Sequence, residues 1–227
     1  MRKRIISLLY KLLVIISLST GIILNLINTK SIAALLSYYT LQSNIMCLIT
    51  FLVLIVLDTI GKDYQKKDMY WFVKGAIIIS ILITSLVYKI ALAPNEFQME
   101  SLQNSIQNKY LANLLVHEIS PILVVLDYFL FDKKGNFKIY YPFLWLFIPL
   151  NYVFYVYSYS ARGGHFFGIG GSRDYAYIFL DYKQIGYIGV AKWIIMMAVF
   201  IMMLSYLLVI IDYFLGKIKR RLVKLPE

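Results

Sequence analysis

Six mostly apolar stretches of about 20 residues recur along this chain, separated by short polar segments. They fall at about 5–27, 38–60, 70–92, 111–131, 139–160 and 188–215. A helix of about 20 residues crosses the hydrocarbon core of a bilayer. The 227-residue chain is 60% hydrophobic with a mean hydropathy of +0.70, more apolar than a soluble domain of this length. The sequence therefore predicts an all-α membrane bundle, one domain over residues 1–227 with six transmembrane helices.

The basic residues predict the orientation of these helices. Fourteen Lys or Arg side chains lie in the two ends of the chain and in the connections at 61–68 and 132–138. The other connections carry five: Lys30, Lys109, Arg162, Arg173 and Lys183. The positive-inside rule then places both termini in the cytoplasm, in a multi-pass protein of the cytoplasmic (plasma) membrane. The net charge of +11 reflects topology and attraction to anionic lipids, and we expect no nucleic-acid partner.

Cysteine and histidine are too scarce for several kinds of site. One cysteine cannot form an intramolecular disulfide, and one cysteine with two histidines makes a histidine/thiolate zinc site improbable. We therefore expect no metal and no cofactor.

The fourth stretch, Leu111–Phe131, carries His117, Glu118 and Pro121 about a third of the way along. An ionisable side chain in hydrocarbon costs on the order of 2–3 kcal/mol and marks a functional site by default. Pro121 has no N–H for the carbonyl of His117, so we expect the helix to kink there. In the predicted topology His117 lies in the outer half of the membrane.

The second stretch begins with a polar face at the same predicted depth. Positions i, i+3, i+4 and i+7 of one helix face hold Thr40, Ser43, Asn44 and Cys47. In the fourth stretch, Asn113 and His117 are likewise i and i+4. At about 1.5 Å rise per residue, Thr40 and His117 reach similar depths. The sequence therefore offers two polar faces that can meet inside the bundle.

A hydroxyl beside an imidazole is the minimum for nucleophilic acyl transfer. The histidine takes the proton as the hydroxyl oxygen attacks a carbonyl, and then returns it to the leaving alcohol. The amides of Gln42, Asn44 or Asn113 can donate to the oxyanion. Glu118 is an acid available to the imidazole, but it points about 100° away from the preceding residue on an ideal helix. No catalytic triad is predicted.

Two motifs prompt a family resemblance. Y-T-x-Q-S-N opens the second stretch at Tyr39–Asn44, and H-x-x-x-P lies in the fourth at His117–Pro121. With six predicted spans, they resemble a bacterial family of six-helix membrane proteins related to the animal androgen-induced and androgen-dependent membrane hydrolases. Those animal proteins are intramembrane threonine hydrolases that cleave fatty-acid esters of hydroxy fatty acids. The resemblance implies that Thr40 is the nucleophile and His117 its base.

The connection at 161–187, rich in glycine and tyrosine, precedes the last stretch. Its segment Tyr175–Asp181 reads Y-A-Y-I-F-L-D, where the bacterial family has Y-P-Y-P-F-L-D, so both prolines are missing. A G-x-G-G pattern at 168–171 follows no predicted strand, so it does not indicate a dinucleotide site. The connection is either a lid, in which Arg162 or Arg173 meets a substrate carboxylate, or a tyrosine-rich interfacial loop.

Each candidate residue also has a purely structural interpretation. Thr40 can be a helix N-cap or a back-bonded hydroxyl, and His117 can be an interhelical hydrogen-bond donor. Ser43, Asn44 and Asn113 can fix helix packing. Three acids near the predicted cytoplasmic helix ends can pair with the basic turns: Asp58, Asp127 and Asp212.

The leading hypothesis is a lipid-ester hydrolase acting on membrane lipids near the outer leaflet. A transporter or channel for a small or lipidic solute is the first alternative, although the apolar segment Ile122–Leu126 interrupts the polar path that it needs. A non-catalytic membrane subunit is the second alternative.

Overall fold

The computed structural model describes residues 2–29, 31–92, 106–168 and 171–222, and regular structure in these ranges is almost entirely helical. The α-helices are α1 (Arg2–Ile27), α2 (Ile32–Leu36), α3 (Tyr39–Thr59), α4 (Asp68–Val87), α5 (Ile106–Leu114), α6 (Ser120–Phe131), α7 (Tyr141–Ala161) and α8 (Tyr182–Leu222). A short antiparallel hairpin pairs β1 (Phe166–Gly168) with β2 (Gly171–Arg173). The predicted all-α class is confirmed.

Several segments that entered the sequence analysis lie outside the described residues. They are most of the polar connection before the fourth stretch (93–105), Lys30, the centre of the G-x-G-G pattern (Ile169 and Gly170) and the end of the basic tail (223–227).

Five helical segments of the described chain are long and apolar enough to cross a membrane. They are Arg4–Ile27, Tyr39–Thr59, Asp68–Ile90, Tyr110–Phe131 and Tyr182–Arg221. Helix α7, at the predicted fifth span, is 21 residues long but is not among them. Its tyrosines, Asn151 and two prolines make it more polar than the others. The structure therefore supports a membrane-embedded protein with several helices able to span the bilayer.

The predicted break at Pro121 takes the form of a π turn. Residues Leu115–Ile119 form this turn between α5 and α6, and the N–H of Ser120 donates to the carbonyl of Leu115. Proline cannot donate an N–H within a helix, so the chain widens by one residue before it and then resumes as α6. The widened turn carries His117 into the bundle.

Helix α4 is the central helix, since it contacts α3, α6, α7 and α8. Helix α1 packs along α3 and along the α5–α6 segment on another side of the bundle. Gly21 allows α1 to approach the π turn closely, because a Cβ there would lie 2.9 Å from Cγ1 of Val116 and 3.1 Å from Cβ of Leu115. A larger residue would push α1 away from the turn that holds His117.

Opposite ends of the bundle carry different connections. We call the end with residues 61–68 and 132–138 the turn end, and the end with β1 and β2 the hairpin end. At the hairpin end, Phe166, Tyr175 and Leu180 are buried, so this connection folds back onto the helices. Helix α8 begins there at Tyr182, earlier than the predicted 188, and Gly186 breaks it with a φ of 70°.

A buried charged cluster, the Lys74 cluster (Lys74, Asp127 and Asp132), joins α4 to the end of α6 near the turn end. Nζ of Lys74 lies 2.5 Å from Oδ2 of Asp127 and 3.3 Å from Oδ2 of Asp132, and all three side chains are nearly inaccessible. The hydroxyl of Tyr70 and the amide of Gln65 also donate to Asp132. Asp127 therefore pairs with a lysine of another helix inside the bundle, not with a basic turn.

Hydrogen bonds to Asp212 join α8 to the connection at 132–138. Its Oδ1 accepts hydrogen bonds from the Tyr128 hydroxyl at 2.6 Å and the Gly135 N–H at 2.7 Å. Its Oδ2 accepts from the N–H groups of Asn136 at 2.7 Å and Phe137 at 2.8 Å. Four donors converge on one carboxylate, which is 1% exposed. The predicted pairing of Asp212 with this turn is thus made through backbone N–H groups.

Replacing Asp212 with asparagine should destabilise the protein. The asparagine side chain keeps one acceptor oxygen, but its NH₂ group cannot accept the hydrogen bonds that the second carboxylate oxygen receives. Because a hydrogen bond to a charged group contributes about 1.5–3 kcal/mol, we expect the free energy of unfolding to fall by about 2 kcal/mol or more. Thermal melting in detergent measures this as a lower Tm. Asp63→Asn is the control, since that carboxylate is 47% exposed, and an Asp212→Asn Tm equal to it would contradict the prediction.

Candidate active site

A cavity of about 80 Å³, open on one side, lies between α3, α4, α7 and α8. We call it the Thr40 cavity. Its polar lining residues include Thr40, Thr84, Tyr88 and Tyr177. Its remaining lining residues are Tyr39, Ile83, Val87, Leu146, Pro149, Leu150, Tyr152, Val153, Phe179, Leu180, Trp193, Ile194, Met197, Ala198 and Ile201. The site is an apolar chamber with a few hydroxyl groups.

Thr40 lies in the first turn of α3, where its side chain is half-buried in the cavity wall. The N-cap position belongs to Tyr38, which makes no side-chain capping bond, so the interpretation of Thr40 as an N-cap is wrong. The Thr40 hydroxyl interacts with the hydroxyl of Tyr177. Burial raises the pKa of Tyr177, so its hydroxyl stays protonated and can donate a hydrogen bond.

His117 is held behind this wall by two residues of α4 and its C-terminal turn. Its ring stacks on Tyr88, with the centroids 3.8 Å apart and the planes inclined by 10°. The imidazole also interacts with the backbone of Thr84, and Nδ1 has no hydrogen-bond partner among the described residues. In the neutral tautomer with its hydrogen on Nε2, Nδ1 has a lone pair that no described residue occupies, so it can accept a proton.

The two predicted polar faces meet through Asn44. Its amide nitrogen donates to the carbonyl of Thr40 at 2.7 Å and to the carbonyl of Val116 at 3.3 Å. Beside it, the hydroxyls of Ser43 and Thr84 lie 2.6 Å apart. These bonds tie the start of α3 to the π turn and to α4. Both hydrogens of the Asn44 amide are used in them, so Asn44 positions the site and has no hydrogen left for an oxyanion.

The other predicted binding residues lie outside the cavity lining. Gln42 donates to the carbonyl of Leu36 at 3.2 Å, and Asn113 is half-buried on α5. Glu118 lies 3.5 Å from Lys89, so it pairs with that ammonium and not with the imidazole. Exposed Arg162 donates from Nε to the carbonyl of Ser158 at 3.0 Å. Their predicted contacts with substrate remain predictions.

Thr40 and His117 lie on neighbouring elements but have separate hydrogen-bond partners. Within the described chain, no hydrogen bond joins the Thr40 hydroxyl to the imidazole. Tyr88 and Thr84 both contact His117 and line the cavity. Thus the residues Tyr88 and Thr84 separate the imidazole from the cavity that Thr40 lines.

Sequence reasoning missed four wall residues with hydroxyl groups: Thr84, Tyr88, Tyr152 and Tyr177. Thr84 and Tyr88 are spaced i and i+4 at the end of the third apolar stretch, and this spacing could have identified them. Tyr177 belongs to the Tyr175–Asp181 segment, but nothing local in the sequence indicates that this segment folds back onto α3.

Among the described residues, no group of three His, Cys, Asp or Glu side chains could hold a metal ion. No family model matches the chain, and no curated protein or solved structure matches it either. The interpretation of the site therefore depends on its own geometry.

Proposed function

We propose that the protein is an intramembrane hydrolase of lipid esters, with Thr40 as the nucleophile and His117 as the acid–base group. The observation that carries this proposal is a threonine hydroxyl in the wall of an apolar cavity, with an imidazole directly behind the same wall. The apolar lining of this cavity suits an acyl chain and keeps bulk water away from the reacting ester.

The proposed topology has six spans, α7 being the fifth, with both termini in the cytoplasm of a cell whose cytoplasmic membrane holds the protein. The lysines at 61–68 and 132–138 favour a topology in which the turn end of the bundle faces the cytoplasm. The hairpin end and the Thr40 cavity then belong to the outer half of the membrane. Substrate would reach the site from the outer leaflet.

The proposed reaction has two stages. In the first, the Thr40 hydroxyl oxygen attacks the ester carbonyl carbon, its proton passes to Nδ1 of His117, and the carbonyl–alkoxy bond breaks as that proton moves to the leaving alcohol. In the second, water attacks the acyl carbon with His117 again as the base, the bond between the acyl carbon and the Thr40 oxygen breaks, the proton returns from His117 to that oxygen, and the fatty acid leaves. Because Tyr88 covers the imidazole, proton transfer requires Tyr88 to swing aside or a water molecule to bridge the gap.

Tyr177 is the proposed oxyanion donor. Its hydroxyl interacts with the Thr40 hydroxyl, so it is close to the place where a carbonyl oxygen would acquire charge during attack. This role replaces the amide donors that the sequence indicated.

Tyr177→Phe should keep the ring and its packing while removing this donor. Loss of one oxyanion donor typically lowers kcat by 10²–10³-fold, and we expect about 10²-fold here. Steady-state hydrolysis of a lipid ester measures it. Tyr175→Phe is the control, because Tyr175 is a buried tyrosine of the same segment that does not line the cavity. Equal activity of the two variants would remove Tyr177 from the mechanism.

The proposed function is tested by measuring hydrolysis of a panel of lipid esters by the purified protein in detergent. The panel includes fatty-acid esters of hydroxy fatty acids, and released fatty acid is quantified. We expect turnover of at least one ester. A folded protein that hydrolyses none of them would contradict the proposal.

A transporter is the second candidate, favoured by the Lys74–Asp127 ion pair buried in helices able to span a membrane. A path would have to link this pair to the Thr40 cavity. Between them, Ile77 of α4 and Val124 of α6 are at most 1% exposed. A single-cysteine labelling scan in a Cys47→Ala background separates the two functions: labelling of positions 77 and 124 by a water-soluble reagent would favour transport.

A further inference from the structure

The Thr40 cavity has an uncharged lining. Its residues are aliphatic, aromatic or hydroxyl-bearing, and no Asp, Glu, Lys, Arg or His is among the described residues that line it. Lys192 adjoins the lining residue Trp193 in sequence, but it is exposed and does not contribute to the lining. A charged ligand group inside this cavity would lose its hydration without gaining a counter-ion.

Apart from Tyr152, the lining residues of α7 and α8 carry no hydroxyl group. Thr40 lies at the start of α3, Thr84 near the end of α4 and Tyr177 in the connection before α8, so all three are close to the hairpin end. On α8 the lining runs from Trp193 to Ile201, about 12 Å at 1.5 Å rise per residue. The cavity therefore offers hydroxyl groups for hydrogen bonds near the hairpin end. Between α7 and α8 it offers a mostly apolar channel that an alkyl chain could occupy.

The rim between α7 and α8 is apolar and exposed. Leu150 and Trp193, one from each helix, line the cavity and are each 37% exposed. Exposed apolar side chains on membrane-spanning helices face lipid. The rim thus gives a lipid chain an entrance from the side of the bundle.

We propose that the Thr40 cavity binds an uncharged lipid ester with a single alkyl chain, of the monoacylglycerol type. The chain lies between α7 and α8, and the ester lies among the hydroxyls of Thr40, Thr84 and Tyr177. The position of the ester rests on the proposed function, whereas the choice of an uncharged ligand rests on the lining alone.

Binding is measured with the Thr40→Ala variant, so that the ligand is not consumed. The probes are monooleoylglycerol and lysophosphatidic acid with the same chain, which differ by a phosphate. Native mass spectrometry in detergent should show the uncharged lipid binding at least about 10-fold more tightly. Equal or tighter binding of the phosphate lipid would overturn the proposal.

A cavity-filling variant locates the bound chain. Ala198→Phe places a ring in the α8 wall and should reduce monooleoylglycerol binding at least 10-fold, whereas Val199→Phe on the exposed face of α8 should not. If Ala198→Phe does not fold, as judged by thermal melting, the smaller Ala198→Val should still weaken binding. Unchanged binding to a folded Ala198 variant would overturn the location.

The two proposals can fail separately. If Thr40→Ala binds monooleoylglycerol selectively but the wild-type protein hydrolyses no ester, the ligand class stands and the hydrolase proposal fails. If the wild-type protein hydrolyses esters but the phosphate lipid binds equally well, the hydrolase stands and the ligand class fails.

Discussion

Thr40→Ala is expected to reduce lipid-ester turnover on the order of 10³-fold or more, because it removes the proposed nucleophile. His117→Gln should lower turnover by about 10²–10⁴-fold, since the carbonyl carbon can still be attacked but no base takes the proton. If the two residues act as a unit, the double variant should lose little more than the worse single variant. Initial rates with one ester at saturating concentration measure all three.

Matched variants separate chemistry from packing. Thr50→Ala removes another threonine of α3, whose hydroxyl donates to the carbonyl of Met46 at 2.8 Å, and should retain full activity. His165→Gln removes the other histidine, whose side chain is 55% exposed, with the same expected result. Thr40→Ser keeps a hydroxyl and should retain part of the activity. Full activity in folded Thr40→Ala or His117→Gln would mean that these residues only support the structure.

Lys74→Met should cause the largest loss of stability among single substitutions in the charged cluster. It leaves the carboxylates of Asp127 and Asp132 in a region where both are buried, with no ammonium between them. Removing one partner of a buried ion pair typically costs 3–5 kcal/mol, because the remaining charge stays desolvated. Thermal melting in detergent should show a fall in Tm much larger than that for any exposed pair.

The control is Lys66→Met, which breaks a pair between side chains that are 76% and 47% exposed and should change the free energy of unfolding by about 1 kcal/mol or less. Adding Asp127→Asn to Lys74→Met neutralises one stranded carboxylate and should restore part of the lost Tm. A Lys74→Met protein as stable as Lys66→Met would show that the cluster does not hold the bundle together.

Local patterns in the sequence predicted the elements that depend on local physics. The second apolar stretch, predicted at about 38–60, is helix Tyr39–Thr59, and the break predicted at Pro121 is a π turn directly before it. The hydropathy of a stretch and the missing N–H of a proline affect only the segment in which they occur. The local sequence is therefore enough to predict the helix and its break.

Contacts between distant segments were not predictable in the same way. Lys74 and Asp127 are 53 positions apart, and neither residue signals its partner. Nor does any local pattern bring Tyr177 to Thr40. Asn44 was predicted to face the polar interior, and it does, yet only the packing of α3 against the π turn shows that backbone carbonyls occupy its amide.

The most direct test of the central claim is a search for an acyl group on Thr40. Wild-type protein and the Thr40→Ala variant are mixed with a p-nitrophenyl fatty-acid ester, quenched in acid within seconds, digested and analysed by mass spectrometry. We predict one added acyl mass on the peptide that contains Thr40 in the wild-type protein, and none in Thr40→Ala. Ester hydrolysis with no acyl group on that peptide, or with the group on another residue, would contradict Thr40 as the nucleophile.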